Sequence, residues 1–214
     1  MTAVILGNCR ILHIPKCGGN WIINALRNAE VPFELAGPYH LDYENCPRGD
    51  LPTVAFVRNP LTWWQSLWRH HARINGQDPF WLYQCGPNLG ALFAPTFSTY
   101  MDNALREIPG YCTQEFGRFT RNGDIDFIGK IENIAEDLVR ALETFGEKFD
   151  RRKIVDSPPR HIGMRKRFKA FYTPELVLNV IMAEIKAIEL YGYHKHCEQL
   201  LRKITVDRKH SANW

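Results

Sequence analysis

The stretch Ile11-Leu-His-Ile-Pro-Lys-Cys-Gly-Gly-Asn-Trp-Ile22 constrains the fold more than any other part of the chain. Ile11 to Ile14 is a short apolar run that reads as a buried strand, and Pro15-Lys16 breaks it. Gly18-Gly19 lets the backbone turn tightly without a Cβ in the way. From Asn20 the apolar residues Ile22, Ala25, Leu26 and Ala29 recur at helical spacing. Strand, glycine turn and helix N-terminus in that order point backbone N–H groups and a helix dipole at one spot, which suits a phosphate or sulfate. Lys16 adds a mobile positive charge there. An ordinary strand-to-helix turn with a solvated lysine is the competing reading of the same residues.

The rest of the chain repeats the alternation. Pro52-Thr-Val-Ala-Phe-Val57 is a second buried-strand run, ended by Arg58-Asn59-Pro60, with Pro60 placed to open a helix through Trp63, Trp64, Leu67, Trp68 and His71. Asp126 to Lys130 is a third strand, and Asn133 to Phe145 an amphipathic helix. Thr173-Pro174-Glu175 starts a helix that runs through Ile188 until Gly192 ends it. The stretch 76–120, rich in Gly, Pro and aromatics, reads as an irregular lobe, helical from about Thr99. With no internal repeat, this predicts an α/β fold. It is expected as a single domain over 1–214, with a mostly parallel central sheet flanked by helices and a ligand beyond the carboxyl ends of its strands.

Composition bounds the setting. At 214 residues, 45% hydrophobic and 23% charged, the chain can bury a substantial core as an ordinary globular protein. No stretch has the length of a membrane span, and the start lacks the pattern of a secretory signal. Six scattered cysteines read as mostly reduced thiols, which together predict a cytoplasmic protein. The net charge of +4 is uneven: between Arg151 and Ala170 eight cations face one acid, Asp156, a field that favours an anionic partner.

A second motif, Val57-Arg-Asn-Pro-Leu-Thr-Trp-Trp-Gln-Ser66, gives the first its meaning. His13-Ile-Pro-Lys-Cys-Gly-Gly-Asn20 resembles the "HIPKTGG" form of the 5′-phosphosulfate loop of sulfotransferases, in which the lysine precedes the glycine pair. The second motif is similar to their 3′-phosphate segment, with Arg58 at a strand end and Ser66 on the next helix. A guanidinium fork and a helical hydroxyl are suited to grip a phosphate. Phe127-Ile-Gly-Lys-Ile-Glu-Asn133 resembles the family's "F(I/V)GRxEN" segment, and Phe171-Tyr-Thr-Pro-Glu175 to Tyr191-Gly-Tyr193 its closing helix. The resemblance spans nearly the whole chain.

The resemblance implies a P-loop-like fold and transfer of a sulfuryl group from 3′-phosphoadenosine 5′-phosphosulfate (PAPS) to an acceptor hydroxyl, leaving adenosine 3′,5′-bisphosphate (PAP), with no metal. The acceptor would be a carbohydrate, lipid or small molecule, and neither nucleic acid nor a membrane span is expected. Lys16 would stabilise the leaving group. Residues Cys17, Gly18, Gly19, Asn20 and Trp21 would surround the 5′-phosphate, chiefly through the amides of Gly18 to Trp21. Arg58 and Ser66 would hold the 3′-phosphate, joined by basic residues of 151–170, with Arg165 and Lys166 foremost and Arg160 and Arg167 as alternatives. Asn20 departs from the family's usual Thr or Ser; as an expected N-cap, its amide could donate to the same oxygens. Trp21 lies against adenine or fills the core, with the core preferred. His40, in the loop between the motifs, is the expected base near neutral pH, with Glu34, Asp42 and Glu44 as rivals.

Two other readings compete. A P-loop kinase or NTPase would need Lys-Ser/Thr in the turn and a Mg²⁺-binding acid at the neighbouring strand end, where this chain has Arg58. A non-enzymatic nucleic-acid module would stack bases on the tryptophans and track a backbone along 151–170. His194-Lys-His196-Cys197 lacks the distant partners of a metal site and reads as structural.

Overall fold

The computed structural model describes residues 3–37, 40–73, 92–159 and 169–211, with 205–211 as backbone only. Two compact units divide the chain, Met1–Arg58 with Glu115–Ile162, and Asn59–Gln114 with Gly163–Trp214.

The first unit carries the sheet. Its strands are β1 (Ala3–Ile5), β2 (Arg10–Leu12), β3 (Glu34–Ala36), β4 (Thr53–Val57) and β5 (Phe127–Lys130), in the order β3-β1-β2-β4-β5. β4 is buried at every position, as its unbroken apolar sequence requires of a strand covered on both faces. It pairs in parallel with β2 and with β5. β1 pairs antiparallel with β2 and with β3. The sheet is therefore mixed, a correction to the mostly parallel expectation. The antiparallel half was missed because β1 and β3 have three residues each, too few to display a period.

Helix α1 (Gly19–Asn28) buries Trp21, Ile22, Ala25 and Leu26 in a cluster with Val4, Ile11, Val54 and Phe56 from the sheet. Ile11 is in register with both Val4 and Val54, so these residues share one sheet face. Leu138 and Leu142 of the helix Ile134–Thr144 and Ile154 of the helix Arg151–Val155 complete the cluster. Each fully buried aliphatic contributes about 1.5–3 kcal/mol. The Arg151–Val155 helix occupies part of the expected basic loop, where Arg151 pairs with Glu136 and Glu143, and Lys153 with Glu30.

Numbered in chain order, the helices after α1 are α2 (Pro60–Arg73), α3 (Phe97–Glu107), α4 (Tyr111–Thr120), α5 (Ile134–Thr144), α6 (Arg151–Val155), α7 (Pro174–Ala183), α8 (Ile185–Leu190) and α9 (His194–Ser211). The second unit has its own aromatic core. Trp63 and Trp64 on α2 are each 1% exposed and meet Tyr100 of α3 and Tyr111 of α4. His71 packs on Tyr100, and Trp68 donates to the Ala94 carbonyl oxygen at 3.1 Å. Trp63, Trp64 and Trp68 are thus core residues, not surface rings available to stack on bases. Of the expected irregular lobe, 92–120 contains α3 and α4, while Trp81 and Tyr83 lie outside the described residues.

The closing helix breaks at Glu184, between α7 and α8. Glu184 is 1% exposed and accepts from Trp64 Nε1, Cys112 N, Thr113 N and Thr113 Oγ1 at 3.1, 3.2, 2.8 and 2.7 Å. It caps the first turn of α4 from a distance. Among the described residues, no helix is long and apolar enough to cross a membrane.

Candidate functional site: the turn between β2 and α1

Cys17 N donates to the Ile14 carbonyl oxygen at 3.2 Å and closes the turn. Lys16 sits at φ 65° and Gly18 at φ 85°. Glycine takes this left-handed conformation at little cost, whereas at Lys16 it stores strain of order 1–3 kcal/mol. A Cβ on Gly18 would also come within 2.5 Å of Ile134 Cδ1. Gly19 is helical, and its constraint is different: a Cβ there would overlap the His13 ring. The glycine pair therefore serves both turn geometry and close packing.

Helix α1 starts two residues earlier than an N-cap at Asn20 would place it. Gly18 is its N-cap, without a side-chain cap bond, and Asn20 lies within the first turn. The expected capping role of Asn20 does not arise, because the left-handed glycine has already ended the turn. Trp21 N donates to the Gly18 carbonyl oxygen at 2.8 Å, and the Trp21 ring belongs to the core cluster. Gly18, Gly19 and Asn20 are then the amides best placed to receive an anion, reinforced by the helix dipole. The Cys17 thiol is 2% exposed, and burial raises its pKa far above the usual thiol value even with the Arg58 charge acting against it. Cys17 contributes a neutral, buried side chain.

Arg58 reaches this turn. The parallel register pairs Leu12 with Ala55, so the segments leaving β2 and β4 emerge side by side. Arg58 Nη1 donates to the Lys16 carbonyl oxygen at 3.2 Å. The two sequence motifs thereby meet at the carboxyl edge of the parallel strands, where open α/β sheets hold their ligands. Lys16 and Arg58 are both half-buried, so a phosphate there would meet two cations with part of their hydration already removed.

His40 also belongs to this edge. It is 6% exposed, and its Nδ1 lies 3.0 Å from the His13 carbonyl oxygen. A carbonyl only accepts, so Nδ1 carries the hydrogen and Nε2 holds the lone pair of the neutral ring. Burial pulls the imidazole pKa down to about 4, opposed by the His13 hydrogen bond and aided by the Lys16 charge. The ring is neutral at pH 7, but a weaker base than one titrating near neutrality.

The rival acids differ. Burial raises the Asp42 pKa, but Asn45 and Arg118 outweigh it, and the carboxyl is held below its ordinary value. Arg118 Nη2 lies 3.0 Å from Asp42 Oδ2, and Arg118 Nη1 2.9 Å from Glu115 Oε1. Glu34 and Glu44 are exposed. An ionised, hydrogen-bonded Asp42 is poorly suited to accept a proton, which leaves His40 the stronger candidate. The pairing of Asp42 with Arg118 was not readable from the sequence, since the partners stand far apart along the chain.

Ser66 is half-buried on α2, which begins two residues beyond Arg58 and belongs to the second unit. Arg160, Arg165, Lys166 and Arg167 lie outside the described residues. Cys9, Cys17, Cys46 and Cys197 are buried thiols. Among the described residues, no group of three or more His, Cys, Asp or Glu side chains is arranged to hold a metal ion. No protein-family model, curated protein or solved structure matches the chain.

Proposed function

We propose that this chain is a sulfotransferase that moves a sulfuryl group from PAPS to an acceptor hydroxyl. The observation that carries the reading is the hydrogen bond from Arg58 to the Lys16 carbonyl oxygen, which joins the two phosphate motifs beside an α1 N-terminus that has no side-chain cap. The amides of Gly18, Gly19 and Asn20 fit a 5′-phosphate, and the guanidinium of Arg58 fits a 3′-phosphate.

The chemistry then needs alignment and charge rather than a covalent intermediate. The acceptor oxygen forms its bond to sulfur as the bond from sulfur to the bridging oxygen breaks. His40 Nε2 takes the acceptor proton, and Lys16 offsets the negative charge that builds on the departing bisphosphate. A kinase would instead use a carboxylate at the end of β4 to hold Mg²⁺, and Arg58 stands there.

Isothermal titration with PAP, AMP and ATP–Mg²⁺ tests this. PAP should bind at least tenfold more tightly than either control, and Arg58→Ala should remove the preference. Binding of ATP–Mg²⁺ in preference to PAP would replace the sulfotransferase reading with the kinase one.

A further inference from the structure

His13 follows β2 directly, and its backbone and its ring perform different tasks. The carbonyl oxygen receives the Nδ1–H of His40 at 3.0 Å. The ring lies with its centroid 4.7 Å from that of His40, tilted by 41°. The same ring fills the space in front of Gly19, where a side-chain carbon would overlap its Cδ2 and Nε2 atoms. Gly19 is helical, so its backbone conformation would accept alanine, and the atoms nearest to a side-chain carbon there all belong to the His13 ring. One imidazole is thus packed between the first residue of α1 and the imidazole of His40.

His40 needs such support. Its φ of 52° is left-handed, a conformation that a non-glycine residue keeps only where its surroundings enforce it. We propose that His13 is a positioning residue whose ring holds His40, in the Nδ1–H tautomer, against the anion-binding turn. The assignment rests on the reading of His40 as the base. The ring also shields His40 from water, and desolvation is the main reason that His40 titrates low. Among the described residues, His13 and Lys16 bring titratable side chains to it from the turn, and the charge of the amino terminus acts on it as well. Removing the ring should admit water and bring His40 closer to the ordinary histidine value.

The test is long-range ¹⁵N–¹H correlation spectroscopy of the His40 ring across a pH titration, with no nucleotide present. In the unaltered protein His40 should appear as one neutral tautomer, protonated at Nδ1 and titrating near 4. His13→Ala should raise the midpoint by about one unit or more. His13→Phe, which keeps a flat ring, should leave tautomer and midpoint close to those of the parent. Gly19→Ala should displace the His40 signals and lower the melting temperature, and His13→Ala in the same chain should recover much of that loss, since the new methyl group then has room. An unchanged tautomer and midpoint in His13→Ala would overturn the proposal, as would Gly19→Ala leaving the His40 signals in place. If His13→Ala fails to fold, His13→Phe and Gly19→Ala still decide it. None of these readings depends on PAPS, so failure of PAP to bind would sink the sulfotransferase reading alone. In turnover assays, His13→Ala should lower kcat more than tenfold while the KM for PAPS changes less than threefold.

Discussion

Two strand-to-helix junctions leave neighbouring parallel strands of this protein and are finished in opposite ways. After β4, Asn59 Oδ1 accepts the Leu61 amide at 2.9 Å, the Asn59 carbonyl oxygen accepts Trp63 N at 2.8 Å, and Pro60 opens the helix with no N–H to satisfy. That junction is self-sufficient. After β2, the cap is Gly18, which has no side chain to offer; the cations Lys16 and Arg58 stand at the turn, and the carboxylates of Glu132 and Glu115 act on it from further off. A helix N-terminus left uncapped beside two cations is poorly completed by the protein itself and well completed by an anion. A third junction sharpens the contrast. After β5, the N-cap Asn133 also makes no side-chain cap bond, but Glu136 and Asp137 occupy the first turn of α5 and Asp137 Oδ2 accepts the amide of Lys130, at the end of β5, at 2.7 Å, so carboxylates rather than cations stand beside that helix end. Similar topology gives three electrostatic outcomes, decided by one or two side chains each.

Substitutions at the junctions should separate their roles. The largest effect is expected from Lys16→Ala, which on the proposed mechanism removes the cation that offsets the leaving group's negative charge and should lower turnover of PAPS by about 10²–10³-fold while leaving the melting temperature nearly unchanged. A pH effect of similar size belongs to His40. Its folded pKa of about 4 lies below the ordinary 6.5, so the unfolded chain binds more protons between those values. His40 therefore costs stability as pH falls from about 6.5 to 4, by about 3 kcal/mol in all. Urea denaturation of His40→Asn, a residue that tolerates the left-handed backbone, should show a flatter acid limb. Catalysis should follow the same group, rising with pH through about 4 and then levelling.

Arg58→Ala should weaken PAP binding by about tenfold to a hundredfold, the worth of charged hydrogen bonds to a phosphate. Calorimetry at constant salt would read it. The smallest effect tests the closed junction: Asn59→Ala should cost about 1 kcal/mol in urea denaturation with PAP affinity retained. If Asn59→Ala instead destroyed PAP binding with no cost in stability, the assignment of open and closed junctions would be reversed.

How much of this was legible in the sequence differs between the same regions. The β2–α1 turn was readable because Pro, Lys and paired glycines are a local vocabulary, and each residue acts within a few positions of itself. β4 was readable because full burial demands an unbroken apolar run. β1 and β3 were not, since three residues cannot establish alternation, and with them went the antiparallel half of the sheet. Asn20 looked like a cap because its residue type favours that role, but Gly18, through its φ of 85°, had already taken the position. The break at Glu184 was hidden by Val180, Ile181, Ile185 and Ile188, which continue a helical pattern across it. Only the partners of Glu184 on α2 and α4 reveal why an acid is tolerated there. His40 could be placed near the site by its position between motifs. Its tautomer and lowered pKa depend on the His13 carbonyl and on burial, which no spacing encodes.

On the proposed function, the open junction of α1 is completed by the nucleotide. Amide hydrogen exchange of Gly18, Gly19 and Asn20, followed by NMR with and without saturating PAP, tests it most directly. These amides should become protected by at least tenfold when PAP binds, while the Leu61 amide, already bonded to Asn59, should change far less. PAP binding that left Gly18 to Asn20 exchanging at their free rates, or that protected Leu61 more than Gly19, would contradict it.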